Sequence, residues 1–169
     1  EPPTRTPYRY WRVYITANNG EAYTALNELE LRDASGADLT YPATPSAQSS
    51  FFGSNTASKI IDNNFTEFLN SVWVSANGSF PQWVSYDLGT PQDVVSVAMR
   101  PQNHAVGPGR SPKNFQIQGS IDNSNWVTVF TGTNVTGWVT GTSKEFITDP
   151  ITSGGSPVEP SLSLLLHAD

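Results

Sequence analysis

The chain has 169 residues, a formal net charge of −6 and no cysteine, so it is one domain by length and is without disulfides, thiolate metal centres or a cysteine nucleophile. Its nine basic residues are spread from Arg5 to Lys144 with no cluster, which excludes the electrostatic footprint of a nucleic-acid binder. A charged fraction of 14% with 13 Gly and 13 Pro favours short strands and polar turns over helices, and no apolar run reaches the roughly 18 residues that cross a bilayer, so membrane insertion is not expected.

EPPTRTP at 1–7 reads as a Pro-rich linker, the interior of a longer protein or a processed end. Residues 8–16, YRYWRVYIT, alternate, and the face of Trp11, Val13 and Ile15 is predicted to point inward. After the turn signal Asn18-Asn19-Gly20, AYTALNELELRD reads as a second strand. Its pattern sets Leu26, Glu28 and Glu30 opposite Asn27, Leu29 and Leu31, and the two strands are expected to pair as a hairpin with a long loop.

Further strands are predicted at 82–88, 94–100, 114–121 and 125–131, each bounded by Gly, Pro, Asn or Asp. That spacing, without helical crossovers, argues for an antiparallel sandwich or barrel. The expected core aromatics are Trp11, Trp83, Phe115, Trp126 and Phe146. The sandwich is placed at 8–149, followed by a Gly/Ser/Pro linker at 150–161 and an apolar tail at 162–169. The tail reads as the first strand of a following lectin-like domain, or as a segment that adds to a neighbour's sheet.

Four segments carry a family resemblance. ASKIIDNNFTEFLNSVWVSANGSFPQWVSYDLG at 57–89, VVSVAMRP at 94–101, SPKNFQIQGSIDNSNWVTVF at 111–130 and KEF at 144–146 together resemble the discoidin, or coagulation factor 5/8 type C, domain. Relatives of that domain include galactose-binding carbohydrate modules. The resemblance covers 8–148 and implies an all-β, jelly-roll sandwich of about eight antiparallel strands with little helix. RYWRVYITANNGEAYTALNELEL looks like the strands that normally close such a domain, yet it comes first. A circular permutation is implied, similar to variants in phage tail and virion proteins; moving the break costs little where termini lie at the surface.

The resemblance also implies a structural calcium ion. In calcium-binding relatives a turn supplies carbonyls and an Asp carboxylate, and a Glu near the last strand completes a set of six to eight oxygens. Lys59, Asp62 and Asn64 match the turn, and Lys144 with Glu145 matches the distal pair. Thr66 falls one residue earlier than the family's threonine, whose place Glu67 occupies. From the residues alone, Asp62 reads equally as the anchor of an Asx turn.

Sugar sites on such scaffolds lie on loops at one end, where a ring packs on the apolar side of a pyranose and amides, His and Arg bond to hydroxyls. The candidates are Phe51 and Phe52, Trp73 and Asn77, and Asn103, His104 and Arg110. Each also has a structural reading: the phenylalanines as a satellite cluster, Trp73 as core, His104 as a solvated side chain, Arg110 as a loop tie. The segment RPQNHAVGPGRSPKNF is similar to the galactose-binding loop. Gln102 and Pro108 stand where that loop has an Arg and an Asn, and Arg110 keeps its match.

No GxSxG, HExxH, Walker or GxGxxG motif is present, so a non-catalytic module is expected. The function expected is adhesion to a surface glycan or polysaccharide, extracellular or on a virion, as part of a phage tail, virion or bacterial surface protein with neighbouring subunits. The alternatives are a structural module joining subunits of a virion or fibre, and an accessory domain of a larger glycoside-active enzyme.

Overall fold

A computed structural model describes residues 4–66 and 69–148. Its regular secondary structure is nearly all strand: β1 Tyr8–Asn18, β2 Ala25–Leu26, β3 Glu28–Arg32, β4 Ser46–Gln48, β5 Trp73–Val74, β6 Gln82–Gln92, β7 Ser96–Arg100, β8 Pro112–Ser120, β9 Val127–Gly132 and β10 Lys144–Ile147. One 3-10 turn at Ala57–Ile60 and one helical turn, α1, at Gly107–Arg110 complete it. The expected 1–7 linker is described from residue 4 onward, whereas the 150–161 linker and the 162–169 tail lie outside the described residues.

The strands form antiparallel sheets in the orders β4-β6-β1-β8-β9, β10-β7-β3 and β2-β5. β1 is the middle strand of the largest, between β6 and β8. Its alternation does what the sequence pattern predicts, and Trp11, Val13 and Ile15 are each at most 1% exposed. They share one core with Val84 and Phe115 from the same sheet and with Leu29, Leu31 and Met99 from the three-stranded one.

Two expectations need correction. β1 and the segment 25–32 do not form a hairpin, because β1 pairs with β6 and β8 while β3 pairs with β7. The segment is also not one strand. It bends at Asn27, whose N–H donates to the Arg100 carbonyl (2.9 Å) and whose side-chain amide donates to Ser71 O (2.5 Å). The bend shifts the parity, so Leu26 joins Leu29 and Leu31 in the core, while Glu28 keeps its predicted side of β3 and is buried there.

Among the expected core aromatics, Trp11 and Phe115 are buried and Phe146 packs against the core. Trp83 and Trp126 are half-buried on the outside. On β6 it is Val84 and Tyr86 that point inward. That leaves Trp83 opposite Tyr14 on the outer face. Tyr8, Trp73, Tyr86 and Trp138 fill the core in their place.

Candidate functional site

The 59–66 turn begins from the 3-10 turn, which is pinned by its buried residues Ala57 and Ile60. Asp62 Oδ1 accepts the Asn64 amide (2.9 Å), and its Oδ2 accepts the Ser71 hydroxyl (2.8 Å). Asn64 Oδ1 accepts both the amide and the hydroxyl of Thr66 (3.3 Å each). Two Asx turns follow in succession, with Asn63 at φ 55° inside the first, and fold this stretch of backbone tightly. The Asn27 side chain ties the turn's limbs together by reaching both Ser71 and the Asn64 carbonyl.

Beside this turn lies a carboxylate that the sequence reading did not select. Glu28, at the start of β3, is 2% exposed. One oxygen accepts the Asn63 amide at 3.4 Å, and the other, Oε2, is buried without a hydrogen-bond partner. Burial pushes its carboxyl up to about 8; the Asn63 amide opposes the shift and the charge of Asp62 adds to it. An acid buried next to another acid, with one oxygen unmatched, is in an environment that a bound cation would satisfy.

The residues fit calcium. Glu28 and Asp62 bring two carboxylates, and the turn through Lys59, Asn64 and Thr66 brings carbonyl and hydroxyl oxygens, the hard donors that calcium takes. Among the described residues no group of three or more His, Cys, Asp or Glu could hold a metal, so uncharged oxygens would make up most of the set.

Lys144 and Glu145 do not join the turn. β10 lies across β7 from β3, with Glu145 level with Ala98. Its carboxylate accepts the Ser96 hydroxyl (2.6 Å) and pairs with Arg32 (3.3 Å), and those contacts hold it below the usual carboxylate range. The Lys144 ammonium sits 5.7 Å from the Trp138 ring centroid. Glu28 was passed over because it lies in NELEL, which reads as an alternating strand and carries no turn signal.

A second cluster forms on the loops. Phe51 and Phe52 are 45% and 55% exposed. The Phe52 ring meets Tyr23 edge-on at 5.9 Å, and the Arg110 guanidinium lies 5.5 Å from the centroid of that same Tyr23 ring. Arg110 is braced from behind by Gln102 Oε1 (2.8 Å). Tyr23 is held through its carbonyl by the Asn18 side chain, and Phe52 through its amide by the Val74 carbonyl. Three separate loops thus present two rings and a guanidinium together. Tyr23 was missed because it precedes β2 in a stretch whose strand pattern hides it.

The remaining candidates divide. Trp73 is fully buried and its indole N–H donates to Ser50 O (3.0 Å), so it supports the phenylalanine loop from below and offers no surface to a ligand. Asn77 is exposed near that loop, its carbonyl accepting the Ser75 hydroxyl and its side chain the Ser79 amide. Asn103 donates to the Thr66 carbonyl (3.0 Å), which joins its loop to the acidic turn. His104 is exposed, with Nδ1 accepting the Val106 amide and its carbonyl accepting the Thr140 hydroxyl.

Comparison with known proteins gives one finding. The F5/8 type C family model described as the NedA-like, galactose-binding domain matches residues 59–153, more than half of the 169-residue chain. The match leaves Tyr8–Leu31 outside, so it says nothing about strand permutation. No curated protein and no solved structure matches the chain. With a β-sandwich, an acidic turn and a ring-bearing loop cluster all within it, the chain belongs to the F5/8 type C family as a NedA-like, galactose-binding domain, a carbohydrate-binding module.

Proposed function

We propose that the module holds a galactose-like residue of a surface glycan on the loop cluster of Phe52, Tyr23 and Arg110, with Phe51, Asn77, Asn103 and His104 around it. The observation that carries this is the convergence of a half-buried ring, an exposed ring and a braced guanidinium on loops from three parts of the chain. Rings take the C–H face of a pyranose, and a guanidinium fixed by Gln102 donates to hydroxyls in one orientation. Nothing in this arrangement pairs a nucleophile with a base, so the reading is binding without catalysis.

Calcium belongs to the same reading. When bound, it supplies positive charge that satisfies Glu28 and Asp62. Glu28 follows Tyr23 by five residues, so fixing Glu28 to the 59–66 turn steadies the segment that carries the Tyr23 ring. Asn103 on Thr66 extends that rigidity to the Arg110 loop.

One such site binds weakly, and repetition makes it effective through avidity. The setting we propose is a phage tail, virion or bacterial surface protein, extracellular or on the particle, with neighbouring subunits of the same assembly. That setting follows from reading the opening segment as a closing strand moved to the front, similar to variants in phage tail and virion proteins; in the fold Tyr8–Asn18 lies between β6 and β8. The structural alternative relied on the apolar tail, which lies outside the described residues, and no observation favours the accessory-domain alternative.

A glycan array probed with the multimerised domain, with and without calcium, tests the reading. Binding to galactose-terminated glycans that is lost in Phe52→Ala supports it, and silence across the array removes it.

A further inference from the structure

The outer face of the five-stranded sheet has a composition unlike that of an idle solvated surface. The register across it gives three rungs: Trp83 opposite Tyr14 opposite Gln116, then Ser85, Arg12 and Gln118, then Asp87, Tyr10 and Ser120. β9 adds Thr131 and Thr128 beside Gln116 and Gln118. No Lys or Glu stands on these rungs. They carry three rings where sheets facing water ordinarily carry long charged side chains.

The polar groups of this face are locked to one another. Arg12 Nε donates to Gln118 Oε1 (2.6 Å), and its guanidinium lies 4.1 Å from the Trp126 ring centroid and 4.9 Å from that of Tyr14. Gln118 donates in turn to Gln116 Oε1 (2.8 Å), and the Thr128 hydroxyl also donates to Gln116 (3.2 Å). Trp126 is set in place by the preceding loop, in which Asp122 accepts the amides of Ser124 (2.9 Å) and Asn125 (2.7 Å). A plate of rings cross-braced by amides and a guanidinium is preorganised, so little side-chain entropy remains to be lost when something lies on it.

At one end the plate runs into an open groove of about 260 Å³ lined by Tyr10, Ala47, Ser85, Asp87 and Asn123, among others. Asp87 is held there by Nε and Nη2 of Arg9, which donate to its two oxygens (2.7 and 2.9 Å). The two arginines, Arg9 and Arg12, are balanced by Asp87 and Asp122, which leaves the face without net charge.

These features select among occupants. A chain of net charge −6 with a neutral face does not attract phosphates. The core of a contact between two copies is depleted in Ser, Asp and Ala, whereas Ser85, Ser120, Asp87 and Ala47 stand among the rings of the rungs and the groove, and Pro45 and Ala47 are the only aliphatic residues there. Rings flanked by amides, hydroxyls and a paired carboxylate match an uncharged, hydroxyl-rich chain. We infer that this sheet face is a second carbohydrate site, separate from the loop cluster, that takes the length of a neutral polysaccharide along Trp83, Tyr14, Trp126 and the Tyr10 groove. The inference rests on the chain being a carbohydrate-binding module but not on the loop site.

The test is affinity electrophoresis of the full 169-residue chain in gels containing a neutral galactan or a neutral glucan, with sedimentation velocity alongside. Retardation in at least one gel is expected, with apparent affinity falling tenfold or more in Trp126→Ala and in Trp83→Ala. Trp126→Phe should retain most of it, and Phe52→Ala should leave retardation measurable. Unchanged retardation in both tryptophan variants, with loss in Phe52→Ala, overturns the face site and leaves the loop site standing. No retardation of the wild-type chain in either gel also overturns it; calorimetric titration with methyl galactoside then decides the loop site by itself. A dimer that Trp126→Ala converts to monomer, without change in retardation, assigns the face to a second copy and overturns the proposal.

Discussion

Glu28 and Asp62 lie together where β3 begins beside the 59–66 turn, Asp62 bonded to Asn64 and Ser71 and Glu28 buried with Oε2 unmatched. Burial and the neighbouring negative charge both act against the ionised form of Glu28. A cation would reverse both effects.

Calcium is therefore expected to raise the stability of the wild-type chain, by about 2.7 kcal/mol when present at a hundred times its dissociation constant. Glu28→Gln should show no such response, and Glu145→Gln should keep it. Melting temperatures in calcium and in chelator measure both. A response lost in Glu145→Gln and kept in Glu28→Gln would return the distal ligand to β10.

In chelator the same carboxyl sets a pH dependence. Its folded value of about 8 lies above the ordinary 4.5, so the folded state holds this proton more tightly than the unfolded one. The stabilising contribution is complete below about pH 4.5 and is lost as pH rises to about 8, at up to about 1.4 kcal/mol per pH unit. Burial raises Asp38 in the same sense, so the difference between wild type and Glu28→Gln in urea melts across this window isolates Glu28. A difference that does not change with pH would show that Glu28 titrates normally.

Trp73 and Trp83 should separate core from face. Trp73→Ala empties a fully enclosed site and is expected to cost about 3–5 kcal/mol. Trp83→Ala removes one member of an outer cross-strand pair with Tyr14, worth about 1 kcal/mol or less. Equal losses in urea denaturation would place both rings in the core.

At the loop cluster, Tyr23→Ala and Phe52→Ala should each weaken binding of methyl galactoside about tenfold, equivalent to about 1.4 kcal/mol, while the melting temperature changes little. Tyr23→Phe keeps the ring and should keep most of the affinity. Titration calorimetry reads this, and affinity unchanged in both alanine variants would move the sugar elsewhere.

Gly107 tests how Arg110 is positioned. A Cβ there would lie 1.9 Å from the Gln102 carbonyl oxygen, a backbone atom that cannot swing aside. Gly107→Ala is expected to cost about 1–3 kcal/mol and, by displacing α1, to lower galactoside affinity as Arg110→Ala does. Wild-type affinity in this variant would show that the Arg110 loop tolerates the shift.

The strand alternation, the turn residues and the ordered segments from 57 to 146 were enough to determine the fold class, because period-two burial and Gly/Asn turn chemistry are local properties written residue by residue. The acidic turn and the loop phenylalanines were legible for the same reason. Where the acids stand was decided only in three dimensions: Glu28, at the start of β3, is buried beside the turn of Asp62, while Glu145 stands on β10, across β7 from β3. Tertiary structure alone also set which tryptophans are core, since Trp73 and Trp83 both sit in short apolar runs and differ only in the sheet face that other strands cover. Sequence periodicity says that two faces exist; the packing of one sheet on another says which of them is inside.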